Sequence, residues 1–168
     1  MVSRPSAAIV LIYHSYRDPL FQNLMLEYLR TLVKSEEVHF YLITFEQKHY
    51  ALTVDQVRRE QRILLQSGIS WYPIPYHAGS FIVLKKIVDL FQTIFLIGKL
   101  RQLTKAKLLV TFTNLSASIG IICAQLFRLK MLVYCYEPHS DFLVELGIWR
   151  KGSFKHRISR LIEFYAGR

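Results

Sequence analysis

Five short apolar runs, each followed by a stretch with helical or capping signals, constrain this chain more than any other feature. The first, Ala8-Ile-Val-Leu-Ile-Tyr13, is continuous rather than alternating, the pattern of a strand covered on both faces of a parallel sheet. Residues 38–45, 69–76, 108–113 and 131–136 read as further strands. Pro73 and Pro75 make the third short or place it near an edge, because proline lacks the N–H that a ladder needs. Asp18-Pro19 opens a helix whose apolar set Leu20, Phe21, Leu24, Tyr28 and Leu32 keeps helical spacing up to Ser35-Glu36-Glu37. Thr53-Val-Asp-Gln56 is a capping box, followed by Val57, Leu64 and Leu65 on one face and closed by Ser67-Gly68. A long helix is expected over 81–103, Asn114 caps one over 115–129, and Ser153 caps a last basic helix to about residue 165. Successive βα units imply an α/β fold: a doubly wound, Rossmann-like parallel sheet with right-handed crossovers. With 168 residues and no repeat or linker, the whole of 1–168 reads as one domain.

Such sheets bind ligands outside the carboxyl ends of their strands. That rule selects the loops 14–18, 76–80, 113–116 and 137–141. Residues 108–127 carry no charge and are long enough to span a bilayer, but Thr111, Thr113, Asn114, Ser116, Ser118 and Gln125 interrupt them. The expectation is a buried strand, turn and helix, with a small integral membrane protein as the alternative. Cys123 and Cys135 show no disulfide or zinc-ligand spacing, and no signal-peptide cleavage pattern follows the first apolar run, so a cytoplasmic chain is expected.

The formal charge of +10 is confined to two stretches. Lys85, Lys86, Lys99, Arg101, Lys105 and Lys107 face only Asp89 in 81–107, and Arg150, Lys151, Lys155, Arg157, Arg160 and Arg168 face only Glu163 in 150–168. Basic patches on a neutral body suit an anionic partner or are solvated helix faces; without a reading motif, nucleic acid is not expected.

The first loop, His14-Ser-Tyr-Arg-Asp-Pro19, contains no GxGxxG or P-loop, and no HExxH or GxSxG occurs, so dinucleotide oxidoreductases, P-loop enzymes, zinc proteases and serine hydrolases lack support. Tyr136-Glu-Pro-His-Ser-Asp141 is the most pointed cluster. Glu137 and His139 at the mouth of a sheet could hold sugar hydroxyls or tune a proton; alternatively His139 and Ser140 cap the next helix. Ser15, Tyr16 and Asp18 could line the first loop's cleft or serve plain turn chemistry, and Asn114 is a cap or a ligand contact.

Asp18-Pro-Leu-Phe-Gln-Asn-Leu-Met-Leu-Glu-Tyr-Leu29, Phe45-Glu46, Ser67-Gly-Ile-Ser-Trp-Tyr-Pro-Ile-Pro-Tyr-His77, Tyr136-Glu-Pro-His-Ser140 and Gly147-Ile-Trp-Arg-Lys-Gly-Ser153 occur in an order and spacing that resemble the amino-terminal domain of bacterial GT-B glycosyltransferases of family 4. Phe21 and Asn23 depart from the Gly and Ser common in that family. The resemblance implies an acceptor-side domain, with a nucleotide-sugar donor held by a C-terminal domain that is not in this sequence, and hence an isolated chain without activity. It implies a retaining transfer without cofactor or metal, to a polysaccharide or lipid-linked acceptor, at the inner face of the cell membrane. Carried across, Ser15, Tyr16, Asp18 and Gln22 line the acceptor side with Asn114 and Glu137, and His139 is the catalytic candidate. A non-catalytic binding or scaffolding module of the same fold is the alternative from another class.

Overall fold

The computed structural model describes residues 6–36, 38–79, 81–134 and 139–166. β1 (Ser6–Ile12) is the middle strand of a five-stranded parallel sheet. β2 (Val38–Glu46) and the edge strand β3 (Ile69–Pro75) lie on one side of it, β4 (Leu108–Phe112) and β5 (Lys130–Tyr134) on the other. The order β3-β2-β1-β4-β5 makes the sheet doubly wound, as the apolar runs implied. β1 pairs with both neighbours in parallel register, Val10 facing Leu42 on one side and Val110 on the other. Prolines 73 and 75 sit in β3, which pairs with β2 alone, so their missing N–H groups interrupt no interior ladder.

α1 (Glu27–Glu36) and α2 (Val54–Gln66) cover one face of the sheet. There Ala8, Val10 and Ile12 pack against Met25, Leu26, Leu29 and Leu64. α3 (Ile82–Thr104) and α4 (Thr113–Phe127) cover the other, where Ile9 and Leu11 meet Ile97, Leu100 and Cys123. Alternation of β1 between two cores explains why its run is apolar without a break: neither face sees water. The 108–127 segment is accordingly strand and helix, and among the described residues no helix is long and apolar enough to cross a membrane.

Three local features differ from the periodicity. The first helix begins as a π-helical turn, Phe21–Leu26, which brings Phe21, Met25 and Leu26 inward before α1 proper starts. α4 begins at Thr113 rather than after an Asn114 cap, and Thr113 holds φ at 73°, a left-handed conformation that strains a β-branched residue. A short α5 (His139–Glu145) precedes α6 (Phe154–Ala166). The capping box at Thr53 and Gln56 forms as expected, and Gly68 closes α2 with φ at 74°. Gly120 lets α4 approach the sheet: a Cβ there would lie 2.6 Å from Thr111 Cγ2.

Candidate functional site

β1 is followed by helices on one face of the sheet and β4 by a helix on the other, so the chain parts between their carboxyl ends, the switch point at which doubly wound sheets form their ligand crevice. Its floor is tied by Ser116, whose hydroxyl accepts the Tyr13 N–H at 3.0 Å and donates to the Phe112 carbonyl. The strained Thr113 stands at the rim.

The loop after β1 is held from within. Ser15 is fully buried; its hydroxyl donates to the Phe45 carbonyl at 3.2 Å and accepts the Gln47 N–H at 2.8 Å. Tyr16 turns into the core, its ring 4.3 Å from that of Trp71 and its hydroxyl donating to Glu60 at 3.0 Å. Burial and this hydrogen bond push its phenol up to about 12. Gln22 donates to the Tyr16 carbonyl at 2.5 Å. The Tyr16 N–H donates to Glu46 Oε1, while Glu46 Oε2 is buried without a partner, and burial raises that carboxyl above its ordinary value.

Asp18 differs from its neighbours in having work on both oxygens. Oδ1 accepts the Leu20 N–H at 2.9 Å, opening the helix, and Oδ2 lies 3.1 Å from His14 Nδ1. A carboxylate can only accept, so Nδ1 carries the proton, and in the uncharged form of the ring Nε2 is the acceptor. Both side chains remain partly exposed, at 29% and 18%. Of the residues singled out from sequence, Ser15, Tyr16 and Asp18 therefore share the loop after β1, and Gln22 reaches it from the helical turn that follows. Three of them spend their side chains on the fold, and Asp18 orients a histidine that the sequence reading passed over. Glu137 lies outside the described residues, as do the side chains of Asn114 and His139.

A second polar cluster sits where β3 leads into α3. Asp89 is 1% exposed. Its Oδ1 lies 2.5 Å from His77 Nδ1, and its Oδ2 accepts from the Tyr13 hydroxyl at 2.9 Å and the Lys86 ammonium at 3.2 Å. Lys86 also donates to the Tyr13 hydroxyl and the His77 carbonyl, and lies 3.6 Å from the Tyr76 ring centre. Burial, then the bond to Asp89, drives the Tyr13 phenol far above its usual value. The sequence signal for this cluster is the lone acid, Asp89, in a basic, apolar helix.

Near α5 the Ser140 N–H and hydroxyl both donate to Glu163 of α6, at 2.8 and 2.5 Å. His156 Nδ1 accepts the Gly152 N–H, so Nε2 carries the proton and donates to Asp141 at 3.1 Å. That bond holds the Asp141 carboxyl below its ordinary value. Ser140 thus joins two helices, and Ser153 receives the His156 N–H as the cap of α6. The described residues contain no group of three His, Cys, Asp or Glu able to hold a metal ion. Chemically, the loop after β1 offers one partly exposed imidazole, His14, held in one tautomer by the Asp18 carboxylate and suited to accepting a hydrogen bond from a hydroxyl.

No family model matches the chain, and no curated protein matches its sequence. Solved structures share its fold. UGT2 of Phytolacca americana, complexed with UDP-2fluoro-glucose and pterostilbene, aligns at a TM-score of 0.56 and 16% identity over 80% of this chain and 32% of its own. A UGT transferase of Siraitia grosvenorii in complex with UDP aligns at 0.50 and 11%, over 77% and 28%. MurG of Acinetobacter baumannii aligns at 0.47 and 13%, over 78% and 35%. This chain spans about a third of the length of these structures. At such identities the likeness is one of fold, and the fold is the Rossmann-like α/β sheet found in GT-B glycosyltransferases.

Proposed function

We propose that the chain is the acceptor-side domain of a GT-B glycosyltransferase resembling family 4, and that a further domain holds the nucleotide-sugar donor. The observation that supports this most is the partly exposed pair His14 and Asp18 in the loop that follows β1. In this reading His14 Nε2 accepts a hydrogen bond from the acceptor hydroxyl and points its oxygen toward the donor, while Asp18 keeps the ring in the productive tautomer. Ser15, Tyr16 and Gln22 are positioning residues that hold the loop presenting His14. The family 4 resemblance adds Asn114 and Glu137 as acceptor contacts and His139 as the residue that meets the transferred sugar. The diphosphate leaving group is stabilised by the donor domain, and neither a metal nor a cofactor is called for. The acceptor is a polysaccharide or lipid-linked saccharide, met at the inner face of the cell membrane.

Saturation-transfer NMR of the chain with a panel of disaccharides and with UDP-glucose tests the reading. Disaccharide signals that vanish in His14→Ala and in His139→Ala, with none from UDP-glucose, are expected. Saccharide signals that survive both substitutions, or are absent from the unsubstituted chain, would overturn it.

A further inference from the structure

His77 repeats, two strands away, the arrangement that Asp18 gives to His14. It follows the edge strand β3 as His14 follows the central strand β1, and both stand beyond the carboxyl end of the sheet, where doubly wound folds take their ligands. Each imidazole is bonded through Nδ1 to a carboxylate, His77 to Asp89 at 2.5 Å and His14 to Asp18 at 3.1 Å. Their side chains are 34% and 29% exposed. A carboxylate only accepts, so Nδ1 carries the proton in both, and in the uncharged form of each ring Nε2 is an acceptor that has no partner among the described residues.

The surroundings of His77 hold it still. The Lys86 ammonium donates to the His77 carbonyl at 3.0 Å, and the Lys85 ammonium donates to the Ala78 carbonyl at 2.7 Å. Asp89 is 1% exposed, and its other oxygen accepts from the Tyr13 hydroxyl and from Lys86. Backbone and ring are thus both fixed before any ligand arrives, which lowers the entropy that binding must remove. Burying a carboxylate is costly, and here the buried charge fixes a ring that stays partly open to solvent.

The spacing of the two rings sets the size of what they can share. Only β2 separates β1 from β3, and the ladder carries on past the strands: the Phe45 N–H donates to the His14 carbonyl at 3.1 Å and the Tyr76 N–H to the Glu46 carbonyl at 3.0 Å. The two loops therefore leave the sheet at nearly one level, about 10 Å apart, which is two strand spacings. One sugar ring does not span that separation, whereas two linked rings do. Tyr13, the residue before His14, reaches Asp89 and ties the two pairs into one network.

We propose that His77 is a second acceptor subsite: its Nε2 takes a hydroxyl of the sugar next to the one that His14 holds, so the acceptor is an oligosaccharide of at least two units rather than a single sugar. The inference rests on the reading of His14 given above and deepens it, naming the length of the acceptor and a residue that selects for it.

Titration of the chain with methyl glycosides and with disaccharides of glucose, galactose, mannose and N-acetylglucosamine, followed through the histidine ring nitrogens by NMR, tests it. A disaccharide that binds should shift the Nε2 signals of both His14 and His77. The matching methyl glycoside should bind about tenfold more weakly and leave His77 unmoved. His77→Asn sets an amide N–H where Nδ1 stood, keeping the bond to Asp89 while removing the Nε2 acceptor. It should weaken the disaccharide about fivefold, the worth of one hydrogen bond, with the affinity for the methyl glycoside and the melting temperature unchanged. If His77→Asn melts early, the nitrogen shifts of the unsubstituted chain decide the matter alone. Disaccharide binding that shifts His14 but not His77, or that is undiminished in folded His77→Asn, would overturn the inference and leave the reading of His14 intact. Saccharides that leave His14 unshifted would overturn that reading, and this inference with it.

Discussion

Asp89 and His77 meet at 2.5 Å across the junction of β3 and α3, the carboxylate buried to 1% exposure and the imidazole on the loop that ends the edge strand. This contact anchors the amino half of the longest helix to the mouth of the sheet, and through Tyr13 it reaches the end of the central strand.

Asp89→Ala should therefore destabilise the fold. It leaves the Lys86 ammonium and the Tyr13 hydroxyl without their shared acceptor, and removing one partner of a buried ionic group costs about 3–5 kcal/mol. Lys86 and His77 keep about a third of their side-chain exposure, which screens the loss to about 2–3 kcal/mol. Urea denaturation measures it; a change below about 1 kcal/mol would mean that water replaces the carboxylate readily.

Glu46 should make stability depend on pH. Burial raises its carboxyl above 4.5, so the folded chain keeps a proton that the unfolded chain has released. The group's contribution is complete below 4.5 and is lost as pH rises through the raised value. Glu46→Gln cannot ionise, so its stability relative to the unsubstituted chain should improve from acid to neutral pH. A difference that stays constant over that interval would show that Glu46 ionises as easily in the folded chain as in the unfolded one.

Gly120→Ala should loosen the packing of α4. The added methyl would fall 2.6 Å from Thr111 Cγ2 and 3.0 Å from Met131 Cε, and Thr111 is a stiff, buried strand residue that cannot turn aside. Overpacking of this kind costs about 1–3 kcal/mol, seen as a lower thermal midpoint. Retention of the full midpoint would mean that α4 shifts outward at little cost.

Ser15→Ala and His14→Ala should separate holding the loop from using it. Loss of the Ser15 hydroxyl leaves the Gln47 N–H without its partner, a destabilisation of about 1–3 kcal/mol. Loss of the partly exposed His14 ring should change stability by less than about 1 kcal/mol while weakening saccharide binding. The reverse pattern, with His14→Ala melting early and binding normally, would make the histidine a structural residue.

Asp18-Pro19 opens the first helix in the sequence and in the structure, but only the fold brings the Asp18 carboxylate to His14, because four residues separate them along a loop whose path is fixed by Ser15 reaching to β2.

Strand type, strand number and helix order were legible in the chain itself, because a strand buried on both faces must be apolar throughout and a helix must be capped where its amides are unpaired. Ala8 to Ile12 and the Thr53 and Gln56 box are cases in point. The tertiary structure alone decided which side of each apolar helix remains uncovered. α3 is apolar nearly all round, so its spacing cannot tell Ile97 and Leu100, which the sheet and α4 cover, from Phe91 and Phe95, which nothing covers among the described residues. It also decided that Asp89 and Lys86, which in sequence are two more charges on a basic helix, pair with each other, the carboxylate buried and the ammonium partly exposed. Pairing over long distances depends on where the chain returns, and local composition carries no record of that.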